Sequence, residues 1–212
     1  VHIGRSRDQH LPLQAKDSFD LILMQTANEL PLLLGILDEI ADGEDASPSL
    51  EAFKGLVLYR SLQQRREGMD ILEGVLHRHP DCRAAMNYLV ALWGMEAQNG
   101  VAGRLTGALS LSEKLLRLEP ANPTVITNHI GILNLANRRD EALALATRGV
   151  ELFSGDCLIR TNYGMLLSAR GDRVAAKTQY QTAIERDNNC GMAYANMAAL
   201  LMKDAASLDE QA

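Results

Sequence analysis

Two stretches set the reading of this chain: ITNHIGILNLANRRDEALALA at residues 126–146 and RTNYGMLLSARGDRVAAKTQY at residues 160–180. Thr-Asn stands at 127–128 and again at 161–162, and Ala-Asn follows at 195–196, each at the same offset from the last. That offset also stacks Ala108, Ala142 and Ala176. It stacks Leu116, Val150 and Ile184, and Leu133, Leu167 and Leu201, as well. No gap interrupts the register from Leu105 to the end. A fixed period of about 34 residues marks stacked supersecondary units, each unable to bury its apolar face alone.

Each column has a physical use. Gly164 and Ala198 are small residues in a first helix, where they let a second helix cross closely. The alanines at 108, 142 and 176 fall early in the second helix, where a larger side chain would wedge the pair apart. Gly149 and Ala183 repeat the device further along. In the unit 123–156 Ile130 stands beside Gly131, which would shift the close contact by one position. Pro80 and Pro120 end second helices, because proline cannot continue the ladder. Their separation exceeds one period by about six residues, which enter the second unit. The glycines of QNGVAGR (98–104) place that insertion in a loop.

Tyr163, Gly164, Leu167, Ala176, Tyr180 and Ala183 resemble the tetratricopeptide repeat pattern, with Arg160 in place of its tryptophan and Asn188 in place of its proline. The resemblance implies an all-α fold, a superhelical array of antiparallel helix pairs (an α-solenoid). The units run 49–81, 82–122 with the insertion near 98–104, 123–156 and 157–190, with a terminal helix at 191–204. Phe53, Leu56 and Tyr59 form the apolar face of one helix in the first unit, and Met69, Leu72, Val75 and Leu76 that of its partner. Residues 17–48 read as a divergent helix pair or an N-terminal cap, with helices at 17–29 and 31–42, and 1–16 as a flexible tail.

Composition excludes several classes. The net charge of −6 offers no general basic field for nucleic acid or anionic membrane. The longest apolar run, Tyr88–Met95, is far shorter than the roughly 20 residues that span a bilayer. Three sparse cysteines, Cys82, Cys157 and Cys190, are expected as free thiols in a reduced, cytoplasmic setting. No phosphate loop, zinc-protease helix or nucleophile elbow occurs, so no enzyme and no cofactor are expected. HRHPDC (77–82) has ligand-type residues but straddles a helix end, where histidine favours the dipole over a metal. His129 shares an inward column with Tyr163 and Met197, which reads as core rather than a catalytic base. Arg65/Arg66 and Arg138/Arg139 precede second helices, as solvated turn charge or as a contact for an acidic partner.

The asparagine column is the feature that points to binding. Asparagine has no advantage inside a helix, because its amide competes with the backbone. In tetratricopeptide arrays the first helices line the concave face, and the resemblance implies that Asn128, Asn162 and Asn196, with Asn87 before the insertion, grip a peptide main chain. A carboxamide supplies both the donor and the acceptor such a chain needs. An inter-repeat hydrogen bond that stiffens the stack is the other reading of the same column. Thr124, Thr127, Thr161, Met165 and Met192 complete the candidate site, with Leu135 and Leu158 also along the lining and Arg83 and Lys203 at its margins. So few charges point away from carboxylate recognition and toward a neutral or partly apolar segment.

The expected function is therefore a non-enzymatic protein-interaction scaffold. A chaperone or assembly factor of a secretion or appendage system, or a regulatory fragment of a larger enzyme, are the alternatives. RNA recognition by related helical repeats is disfavoured by the gapless period and the acidic balance. The terminal helix is expected to pack Tyr194, Met197, Ala198 and Leu201 on the preceding pair. Met192, Ala195, Ala199 and Met202 then continue an apolar surface that self-association or a partner would cover.

Overall fold

The computed structural model describes residues 30–41, 47–61 and 64–209. The expected tail at 1–16 and the helix at 17–29 lie outside the described residues. Among the described residues the structure is all helical. The helices are α1 (Leu30–Ala41), α2 (Pro48–Arg60), α3 (Arg65–Arg78), α4 (Arg83–Gln98), α5 (Arg104–Leu118), α6 (Pro123–Leu135), α7 (Arg139–Leu152), α8 (Cys157–Ala169), α9 (Arg173–Arg186) and α10 (Gly191–Asp209). The chain divides into two compact units, residues 1–89 and 90–212, and the division falls within α4.

In the first unit, Ser47 caps α2 by accepting from the Leu50 amide at 3.3 Å, and Pro48 begins the helix. Proline suits that place because its missing N–H would have no helical partner there. Ala52, Val57, Leu58 and Tyr59 of α2 are buried with Met69, Leu72 and Val75 of α3. The helices cross where Gly55 meets Gly68: a Cβ on Gly68 would overlap the Tyr59 backbone and the Gly55 carbonyl. His77 and His79 are exposed at the end of α3, while Cys82 is a buried free thiol.

In the second unit the helices pack in sequence-adjacent pairs. Side chains at Asn122 and Asp156, one period apart, cap α6 and α8, accepting from Thr124 and Val125 and from Ile159 respectively. The insertion in the second repeat is shared out. Helix α4 has 16 residues against 13 in α6, α5 has 15 against 14 in α7, and the loop 99–103 is two longer than 136–138. Gly100 and Gly103 take left-handed φ of 84° and 80° in that loop, a region other residues enter at a cost.

Ile126, Ile130, Leu133, Ala142, Ala146, Ile159 and Leu166 form one core from α6, α7 and α8. Leu167, Ala176, Tyr180 and Leu200 form the next, from α8, α9 and α10. Gly164 is the close contact of its pair, since a Cβ there would lie 2.6 Å from Tyr180 Cε1 and 3.2 Å from the Ala176 carbonyl. Gly131 has nothing within 4 Å of its Cβ position, so the close contact is not transferred to it.

The terminal helix corrects one expectation. Its buried line is Ala193 and Leu200, with Met197 half-buried, while Tyr194, Ala198 and Leu201 are exposed. One period earlier, Ile159 and Leu166 join the preceding core, whereas Gly164 and Leu167 contact α9 of their own pair. The line 194–198–201 repeats 160–164–167, so it faces the place of a same-pair helix rather than the preceding pair.

Candidate functional site

The first helices of the second unit's pairs, α6, α8 and α10, each place a stripe of residues four and three apart in chain order. It runs Thr124, Asn128, Gly131 and Leu135 on α6; Leu158, Asn162, Met165 and Ala169 on α8; and Met192, Asn196, Ala199 and the exposed Lys203 on α10. Leu135, Leu158 and Met192 are exposed, the last at 46%. Thr124, Thr127, Asn128, Met165 and Asn196 are half-buried. Asn87 is half-buried on the part of α4 that belongs to the first unit.

Asn162 faces inward. It is 9% exposed, and its Nδ2 lies 3.5 Å from the Thr127 carbonyl oxygen of the preceding first helix, at the long limit for a hydrogen bond. The Thr127 hydroxyl is buried and makes no hydrogen bond within the protein. Thr161 is fully buried, donating to the Cys157 carbonyl at 2.7 Å, with Cys190 Sγ 3.8 Å from its hydroxyl. It presents no surface to a ligand, because its side chain is enclosed between the starts of α8 and α10.

Cys157 and Cys190 form a disulfide, with Cα atoms 6.2 Å apart. This overturns the expectation of free thiols at both positions. Cys157 is the first residue of α8, and Cys190 is the last loop residue before α10. The loop carries Cys190 back toward the start of α8, closer than a helix-to-helix spacing would suggest. A sequence signal existed: Cys190 lies one period after Asp156 and two after Asn122, in the column that caps the other first helices. A thiol cannot replace their carboxylate and amide caps, and here a covalent link anchors the helix start.

His129 is buried and its Nδ1 lies 2.8 Å from Ser112 Oγ, which also donates to the Leu109 carbonyl at 2.9 Å. The serine hydroxyl has one proton. Both bonds are therefore made only when Nδ1–H of the imidazole donates to Ser112. Burial holds the His129 pKa below its ordinary value, with Glu113 opposing the shift. Ser112 has no exposed surface, so the pair is enclosed and serves the core.

Arg138 does not offer its charge outward. Its guanidinium donates to both Glu141 carboxylate oxygens at 2.6 Å and to Glu113 at 2.7 Å. These bonds use three of the five guanidinium N–H donors and set two carboxylates against its charge. Among the described residues there is no group of three His, Cys, Asp or Glu placed to hold a metal.

No protein-family model and no curated protein matches the sequence. Solved structures match the backbone. A thermophilic tetratricopeptide repeat protein, TTC0263 of Thermus thermophilus, has a TM-score of 0.65 at 18% identity over 85% of this chain and 95% of that one. This chain has the tetratricopeptide repeat fold. YrrB, described as a tetratricopeptide repeat protein with an unusual peptide-binding site, has a TM-score of 0.58 at 18% identity, covering 82% of this chain and 86% of its own. MamA (41-end) from Desulfovibrio magneticus RS-1 has a TM-score of 0.61 at 15% identity, covering 82% and 93%. In this tetratricopeptide repeat array the stripe on α6, α8 and α10 is the first-helix face.

Proposed function

We propose that the first-helix face of residues 90–212 is a non-catalytic binding surface for a neutral, partly apolar peptide segment of a partner protein. The observation that carries this reading is the exposure of Leu158 and Met192 at equivalent places one period apart, with Leu135 exposed at the other end of the α6 stripe and Lys203, at the C-terminal end of the α10 stripe, its one charged residue. Apolar contacts there would supply affinity, and the half-buried Asn128 and Asn196 would meet a peptide main chain, while the Thr127 hydroxyl is buried away from it. The description of YrrB, a relative in fold, as having a peptide-binding site supports the class of ligand. Asn162 has a smaller part in this reading, because its amide is turned toward the Thr127 carbonyl.

The disulfide bears on the setting. Bonds of this kind persist where thiols are not reduced. The Cys157–Cys190 link therefore favours an oxidising compartment over the cytoplasm expected from sequence. Among the described residues, no helix is long and apolar enough to cross a membrane.

The test is a peptide array of matched length in three versions: neutral with apolar side chains, acidic, and basic. The neutral peptides should be retained, and Leu158→Glu should reduce their binding at least tenfold without changing helix content. Equal binding by the Leu158→Glu variant, or preference for acidic peptides, would displace this face as the site.

A further inference from the structure

Helix α10 carries a second apolar line, distinct from the stripe at Met192, Asn196 and Ala199. Tyr194 is 48% exposed, Leu201 44% and Met202 73%, and Ala195 and Ala198 between them are exposed as well. In α8 the corresponding line is covered. Gly164 seats against Tyr180, Leu167 packs with Ala176 and Tyr180, and Arg160 donates to Gln179 at 3.1 Å, all on α9. The repeat thus defines what fits on Tyr194, Ala198 and Leu201: an antiparallel helix crossing at the small residue.

We infer that this seat is taken by α10 of a second copy of the chain. The line is self-complementary about Ala198. Tyr194 lies four residues before it and Met202 four after; Ala195 lies three before and Leu201 three after. Two such helices, run antiparallel about a two-fold axis at Ala198, oppose Tyr194 to the other copy's Met202 and Leu201 to its Ala195. Small residues meet at the crossing, and large ones fill the flanks, as close helix packing requires. No charged residue occurs from Gly191 to Met202, so the antiparallel pairing brings no like charges together along this line. The helix within one copy has its other side committed to the core through Ala193 and Leu200. One helix pair is a small interface, so association in the micromolar range is expected.

Light scattering across a concentration series reads the assembly directly. The protein should reach the dimer mass by roughly 100 μM, above a micromolar Kd. Ala198→Glu should return it to monomer with its helical circular dichroism intact, while Met192→Glu, on the other stripe, should leave the dimer. An axis at Ala198 places the two copies of that residue together. Under mild oxidation, Ala198→Cys should therefore give a covalent dimer in high yield, and Met192→Cys should not. A wild-type monomer at that concentration overturns the inference, as does a dimer that survives Ala198→Glu. Equal cross-linking at the two cysteine positions does so as well, and that readout stands even where the glutamate variant fails to fold. Monomer with the seat covered by further chain or by another protein's helix would appear as the first of these outcomes.

Discussion

Cys157 at the start of α8 is covalently joined to Cys190 at the start of α10, so two successive repeats are tied through their first helices. The bond closes a span of 33 residues that contains all of α9. A link of this span restricts the unfolded chain by about 2–4 kcal/mol. Reduction should lower the melting temperature and expose α10 amides to hydrogen exchange before those of α6 and α7. Melting the oxidised and reduced protein side by side, with intact mass confirming the thiol state, checks this; an unchanged melt would remove the bond from the account of stability.

Gly164 and Gly131 should respond oppositely to alanine. At Gly164 the new methyl meets the Tyr180 ring at 2.6 Å and 2.8 Å and must push α8 from α9. Overpacking of this kind costs about 1–3 kcal/mol. At Gly131, within α6, nothing lies within 4 Å, and alanine should stabilise the helix by about 0.5–1 kcal/mol. Urea midpoints of the two variants measure the pair, and a Gly164→Ala protein as stable as wild type would contradict the close crossing.

His129 makes stability depend on pH. Its folded pKa is lowered, first by burial and against the pull of Glu113, so the folded protein binds a proton less readily than the unfolded chain. Above the ordinary histidine value of about 6.5 both states are neutral at this site and the contribution is complete. As pH falls below that value the unfolded state takes the proton first and stability declines, levelling off beneath the folded pKa. Arg138 and Glu141 also face the imidazole electrostatically, with opposite effects. The unfolding midpoint should fall between pH 7 and 5, a loss that His129→Gln reduces; parallel profiles for the two proteins would assign the dependence elsewhere.

Peptide binding on the first-helix face should be nearly indifferent to salt. With Lys203 at its margin the one charge on the stripe, there is little Coulomb attraction to screen. Raising salt from roughly 50 to 500 mM should change Kd by less than about threefold. A steep loss, measured by titration calorimetry, would move the site to charged surface.

The period that the sequence carries is also the period of its helices: first helices begin at Pro123, Cys157 and Gly191, and second helices at Arg139 and Arg173. That is because small residues such as Gly164 and Ala176, together with helix caps and proline stops, act within one unit and leave a local trace. The partners of those positions needed the tertiary structure. Cys190 lies in the cap column, yet its bond to Cys157 depends on how a loop returns the chain across a repeat. Thr161 and Asn162 both belong to the candidate site as the sequence gives it, and only packing shows that one is enclosed and the other turned to the Thr127 carbonyl. The inward line of α10 differs from the expected one for the same reason. A helical period gives the angle between side chains along a helix, whereas the neighbours that surround that helix decide which of its faces is buried.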